Sequence, residues 1–138
     1  MDQRVSFITL AVRDLGASHA FYVDGLGWEP ELHVPGEVLM FRVAEKVVLS
    51  LWDEDHFTAE VGGGPARGGV PPVTLAHNVA TRDGVDRVLA QAAAAGAREV
   101  SEGVERDWGG YTGYFADPDG FRWEIAWNPG EIGQSVLP

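Results

Sequence analysis

The chain contains no cysteine, which excludes a disulfide framework and any thiolate chemistry. It also lacks an apolar run approaching the ~20 residues that cross a bilayer. Its opening stretch, MDQRVSFITL, has no basic, apolar and small-residue succession of a signal peptide, so a cytoplasmic location is expected. Basic residues are scarce. Ten Lys and Arg against 21 Asp and Glu leave a net charge of −11. Such a surface repels phosphate backbones, and no Lys/Arg stripe interleaved with aromatics relieves it, so nucleic acid is not an expected partner. The acidity favours solubility, and it would also attract a cationic ligand.

What is present suits one domain of 138 residues with a sizeable core. The one clear break is GGGPARGGVPP, residues 62–72, whose glycines and prolines hold neither a helix nor a central strand. It reads as a linker. Without a Lys-Ser/Thr ending or a following amphipathic helix it is not a phosphate-binding loop.

The flanking halves, about residues 4–60 and 73–129, resemble each other. The first opens with VSFITLAV, then Asp14, then LGASHAFYVDGLG, in which Leu15, His19, Tyr22 and Leu26 mark one helix face. Asp14 is placed to cap that helix and Gly27 to end it. The second opens with VTLAHNVATRD, then GVDRVLAQAAAAG, with Val85, Val88, Leu89 and Ala92 as the stripe, Asp83 as the expected cap and Gly96 as the stop. Each half then gives a short strand and a hairpin. In the first these are WEPELHV, VLMFRV and VVLSLW; in the second, REVSEGV, YTGYFA and FRWEIAW, turned by Asp117-Pro118-Asp119-Gly120. The order β-α-β-β-β therefore occurs twice, an internal repeat over the whole chain. Superposing the halves places Phe7 on Thr74 and Ser50 on Glu124.

Strand alternation sorts the faces. Phe121, Trp123, Ile125 and Trp127 form a bulky face suited to a helix, leaving Arg122, Glu124 and Ala126 on the other. Phe7, Thr9 and Ala11, then Thr74, Ala76 and Asn78, and Val48, Ser50 and Trp52, fall on the corresponding inner faces. The mixture of polar, small and aromatic residues there suggests a sheet enclosing a small-molecule cavity. A flat, solvated sheet face is the alternative. A bulge at Gly120 would flip the parity of Tyr111 to Phe115, so that strand is not assigned to a face.

The doubled module, LAVRDLGASHAFYVDGLGW and GYFADPDGFRWEIAWNP resemble the vicinal oxygen chelate superfamily, which includes glyoxalase I, the extradiol dioxygenases and the bleomycin resistance proteins. The resemblance runs from Val5 to about Pro129. It implies an α+β fold of two tandem βαβββ modules, a cupped mixed sheet with helices outside, and a homodimer. In metal-dependent members four inward positions supply ligands, and here they match Phe7, Ser50, Thr74 and Glu124. Only Glu124 is a strong ligand; a benzene ring and two neutral alcohols are not what zinc, magnesium or iron sites require. His77 falls on the opposite face from Thr74, His19 is on the helix stripe and His33 is near a strand end. The acidic cluster in WDEDHF lacks the glycine and spacing of a calcium loop and reads as a solvated turn. No metal and no cofactor are therefore expected.

Three readings of Glu124 follow. It is a remnant whose charge is held by Arg122 or Arg42. Or it binds a small organic ligand, with Phe7, Ser50, Thr74 and Arg122 around the cavity, Trp52, Trp108 and Tyr111 as stacking faces and Asn78 for orientation. Or it is a catalytic general base, with Arg122 or Arg42 stabilising an oxyanion. A divalent-metal-dependent glyoxalase-like lyase or isomerase is the remaining alternative.

Overall fold

In a computed structural model the described residues are 1–66 and 68–138. Arg67, inside the expected linker, lies outside them. The chain forms two compact units, Met1–Arg67 and Gly68–Pro138.

In the first unit the strands are β1 (Phe7–Val12), β2 (Leu32–Val34), β3 (Val38–Ala44) and β4 (Val47–Asp53), ordered β1-β4-β3-β2. β1 runs parallel to β4, and the other pairs are antiparallel. α1 (Leu15–His19) starts where expected, because the Asp14 side chain accepts from the Ala17 N–H at 3.0 Å. It then widens into a π-helical segment, Ala20–Gly25. The extra residue in that turn lets neighbouring Phe21 and Tyr22 both enter the core, at 2% and 0% exposure. Phe41 and Trp28 pack against Tyr22 with ring centroids 5.7 and 5.2 Å away. Gly27 then takes φ 74°, the left-handed backbone that ends the segment.

The acidic cluster after β4 is not a turn. It opens α2 (Glu54–Val61), whose N-cap Asp53 accepts from the N–H groups of Asp55 and His56. Glu54 and Asp55 complement the helix dipole in its first turn. Three capping or dipole carboxylates in a row outweigh the weak apolar stripe on which a helix would ordinarily be recognised.

In the second unit β5 (Thr74–Asn78), β6 (Val104–Glu105), β7 (Tyr111–Ala116) and β8 (Arg122–Trp127) repeat the arrangement in the order β5-β8-β7-β6, with β5 parallel to β8. α3 (Arg82–Ala94) packs on β7 and β8 through buried Val85, Leu89 and Ala92. Burying each of the two larger side chains contributes roughly 2 kcal/mol. The cap is Thr81 rather than Asp83: the Thr81 hydroxyl accepts from the Gly84 N–H at 3.0 Å, and Asp83 sits in the first turn. Thr81 wins because its backbone is extended while that of Asp83 is already helical. The strand expected over WEPELHV shortens to three residues, and the one expected over REVSEGV is displaced to Val104–Glu105, overlapping it only at Val104. A short α4 (Glu131–Ser135) follows the repeat. The architecture is thus α+β, two four-stranded mixed sheets with helices, each built on one βαβββ module. No helix of the described residues is long and apolar enough to cross a membrane.

Candidate functional site

The two units carry their marked residues at the same relative places. Phe7 lies opposite Val48 on β4, one alternate residue before Ser50; Thr74 lies opposite Arg122 on β8, one alternate residue before Glu124. The diagonal offset is identical, as an internal repeat requires. Phe7 is 55% exposed, on the face opposite buried Leu10 and Val12, whereas Ser50 is buried. The first unit's pair offers a hydrocarbon ring and an alcohol, and the second unit's an alcohol and one carboxylate. Neither residue pair has the chemistry of a resident divalent-ion site.

Around Glu124 the geometry is set by the β7–β8 hairpin. Buried Asp117 accepts from the N–H groups of Asp119 (3.0 Å) and Phe121 (2.9 Å), and Gly120 supplies the positive φ that closes the loop. Asp117 N–H in turn donates to Phe121 O at 3.0 Å. Register then runs without a shift from Ala116 opposite Arg122 to Tyr111 opposite Trp127. Thr112, Tyr114 and Ala116 therefore share the face of Glu124, and Tyr111, Gly113 and Phe115 turn to α3.

Tyr114 stands directly opposite Glu124, and its phenol donates to Glu124 Oε1 at 2.7 Å. Burial, then the hydrogen bond to Glu124, push the Tyr114 hydroxyl above the ordinary phenol value, so it stays a neutral donor. The expected arginine partners go elsewhere. Arg122 donates to Glu99, and Arg42 meets Glu31 through two hydrogen bonds, 2.7 and 2.5 Å. Both arginines are thus engaged by other carboxylates, and Glu124 pairs with the phenol.

The remaining expected residues divide. Asn78 and Thr74 lie on the Glu124 face of β5, separated by Ala76, which pairs with Glu124 itself. Trp52 is half-buried, with Phe57 of α2 edge-on at 6.2 Å. Trp108 is 56% exposed in the turn after β6, its indole folded over Gly110 so closely that a Cβ there would overlap the ring. Tyr111 faces α3 and donates to Asp86 at 3.0 Å, away from Glu124. Beside it Arg82 pairs with Glu105 at 2.7 Å and stacks on Trp127 at 3.9 Å, which closes that side of the sheet.

Sequence reasoning missed Tyr114, Thr112 and Arg106. Arg106 Nε donates to Thr112 Oγ1 at 2.7 Å, and its guanidinium lies 5.8 Å from the Tyr114 ring centroid. The available signal was the hairpin loop. A three-residue Pro118-Asp119-Gly120 connection puts Asp117 opposite Phe121, and counting back puts Tyr114 opposite Glu124.

A family model described as the glyoxalase/bleomycin resistance protein/dioxygenase superfamily matches residues 4–125. No curated protein matches the chain. Among solved structures, it is similar to a glyoxalase-related enzyme from Fulvimarina pelagi, with 36% identity over 92% of this chain and 89% of that one, TM-score 0.83. A glyoxalase/bleomycin resistance protein/dioxygenase from Nocardioides shares 28% identity over 94% and 87% of the two chains, TM-score 0.72. A lactoylglutathione lyase from Agrobacterium tumefaciens shares 25% over 93% and 96%, TM-score 0.70. With the repeated module, the sheet orders and a match over nearly the full length in agreement, the chain belongs to the glyoxalase/bleomycin resistance protein/dioxygenase superfamily.

Proposed function

We propose that this protein binds a small organic molecule on the Glu124 face of its second unit, without a resident metal. The observation that carries this reading is the Tyr114–Glu124 pair. A half-buried carboxyl group held by one phenol retains most of its acceptor capacity. The neighbouring arginine, Arg122, is engaged by Glu99 and does not neutralise it. Ala76, Ala116 and Ala126 keep the surrounding sheet surface low, and Thr74 and Asn78 add polar groups on the adjacent strand. The donor set at the four family positions supports binding without a metal. The reading includes a cytoplasmic homodimer, and light scattering on the purified protein tests the assembly.

Thermal-shift screening against basic antibiotics, α-keto acids and thiol adducts should yield a stabilising ligand. Glu124→Gln should weaken that ligand and leave the unliganded melting temperature nearly unchanged. A stoichiometric divalent metal in protein purified without chelator, lost on Glu124→Ala, would overturn the proposal in favour of a metal-dependent glyoxalase-like enzyme.

A second reading, Glu124 as general base, draws support from the same pair. Tyr114 stays protonated beside it, and its single O–H, now given to Glu124, would turn to a developing oxyanion as Glu124 takes up a substrate proton. Conversion of a bound ligand that stops in Glu124→Gln while binding persists would establish it.

A further inference from the structure

Arg106 stands on the far side of the Tyr114 ring from Glu124. It directly follows β6, on the side of Val104 and Thr112, and is half-buried. Its backbone is pinned at both ends: Arg106 N–H donates to Gly110 O, and Gly109 N–H donates to Arg106 O, each at 2.8 Å. Its side chain is tethered through Nε to the Thr112 hydroxyl, itself 1% exposed.

No carboxylate pairs with Arg106 among the described residues, although the chain carries 21 of them. Arg42, Arg82 and Arg122 each take a glutamate. In so acidic a protein, a fixed guanidinium held by an alcohol retains its two Nη amino groups as directed donors for an oxyanion. Glu124 sits at the hydroxyl end of the same Tyr114 ring that Arg106 borders. One phenol thus separates a cation from an anion on a single sheet face.

We infer that the ligand of this site is a small amphoteric acid, whose carboxylate docks on the Arg106 Nη groups and whose ammonium or hydroxyl donor reaches Glu124 across the Tyr114 ring. The inference rests on the proposal that the Glu124 face is a binding site. It adds the chemical class of the ligand and the residue that selects it.

The test uses the full chain and three matched probe sets: straight-chain ω-amino and ω-hydroxy acids, the alkanoates lacking the donor, and the alkylamines lacking the acid. Dissociation constants come from NMR titration of backbone amide signals. The bifunctional acids should bind more tightly than either control set. Arg106→Gln should weaken them about tenfold or more, to the level of the alkylamines, while alkylamine binding stays unchanged. Arg106→Lys, which keeps the charge but not the fork, should recover only part of the loss and guards against a folding defect. Unchanged acid binding in Arg106→Gln, or alkylamines binding wild-type protein as tightly as the amino acids, overturns the inference alone. Absence of binding by all three sets and by the wider screen overturns the binding-site proposal, and this inference with it.

Discussion

Tyr114 and Glu124 face one another directly across β7 and β8, and the phenol O–H donates to the carboxylate at 2.7 Å. The contact converts an apolar strand with one acidic residue into a directional polar site. The acid is held by a phenol rather than by a cation, which separates this arrangement from a structural ion pair.

Removing the phenol hydroxyl takes away that donor. Tyr114→Phe should cost about 1 kcal/mol in urea unfolding, because a half-buried carboxylate loses its protein partner. Glu124→Gln keeps an acceptor for the same bond and should cost less. A double-mutant cycle of Tyr114→Phe with Glu124→Ala, which removes the acceptor, should return a coupling of similar size; additive effects would show the bond to be energetically idle.

Alkaline pH should weaken the fold through the same tyrosine. Burial and Glu124 raise its folded pKa, so the native chain holds the phenolic proton more tightly than the unfolded chain does. This stabilisation is fully present below the ordinary phenol value of about 10 and is lost as pH rises through the folded value. Tyr111, raised by its hydrogen bond to Asp86, acts in the same direction but is screened by solvent. Urea midpoints measured between about pH 8 and 12 should fall less in Tyr114→Phe than in wild type.

Asp117 holds the register that creates the pair. Its buried carboxylate accepts two backbone N–H groups of the loop, so Asp117→Ala should cost about 2–3 kcal/mol. Asp117→Asn retains an oxygen acceptor and should lose less than half of that. The check is chemical denaturation of both variants side by side; equal losses would mean the two accepted bonds are not the cause.

Glu99 has φ 49°, the one described non-glycine residue in the left-handed region, and its carboxylate engages Arg122. Both Glu99→Ala and Glu99→Gly lose the ion pair, but only glycine relieves the backbone. The glycine variant should therefore be the more stable of the two by about 1 kcal/mol, read from thermal or urea unfolding. An exposed pair of this kind contributes at most about 1 kcal/mol itself.

Much of this was legible in the residues. The doubled β-α-β-β-β order, the Asp14 cap, the glycine stops and the face carrying Glu124 all follow from local rules: period-two and period-3.6 alternation, capping chemistry and turn chemistry. α2 escaped notice because its N-terminal carboxylates, not an apolar stripe, define it. The Thr81 cap was misplaced by two residues because threonine and aspartate are nearly equivalent by type, and only backbone angles separate them.

The polar pairings were a different matter. Arg122 and Arg42 were the natural partners of Glu124 by alternation and charge, yet Glu99 and Glu31 hold them. Sequence alone determined that this chain is two copies of one module, with one acid on the face of its last strand turned away from the helix. Only the tertiary structure decided that a tyrosine holds the acid and that an arginine with no carboxylate partner among the described residues stands beyond that ring. The physical reason is that alternation is a property of one strand, whereas a hydrogen bond across strands depends on register. Register here is set by three loop residues and a buried aspartate whose geometry exists only once the hairpin has closed.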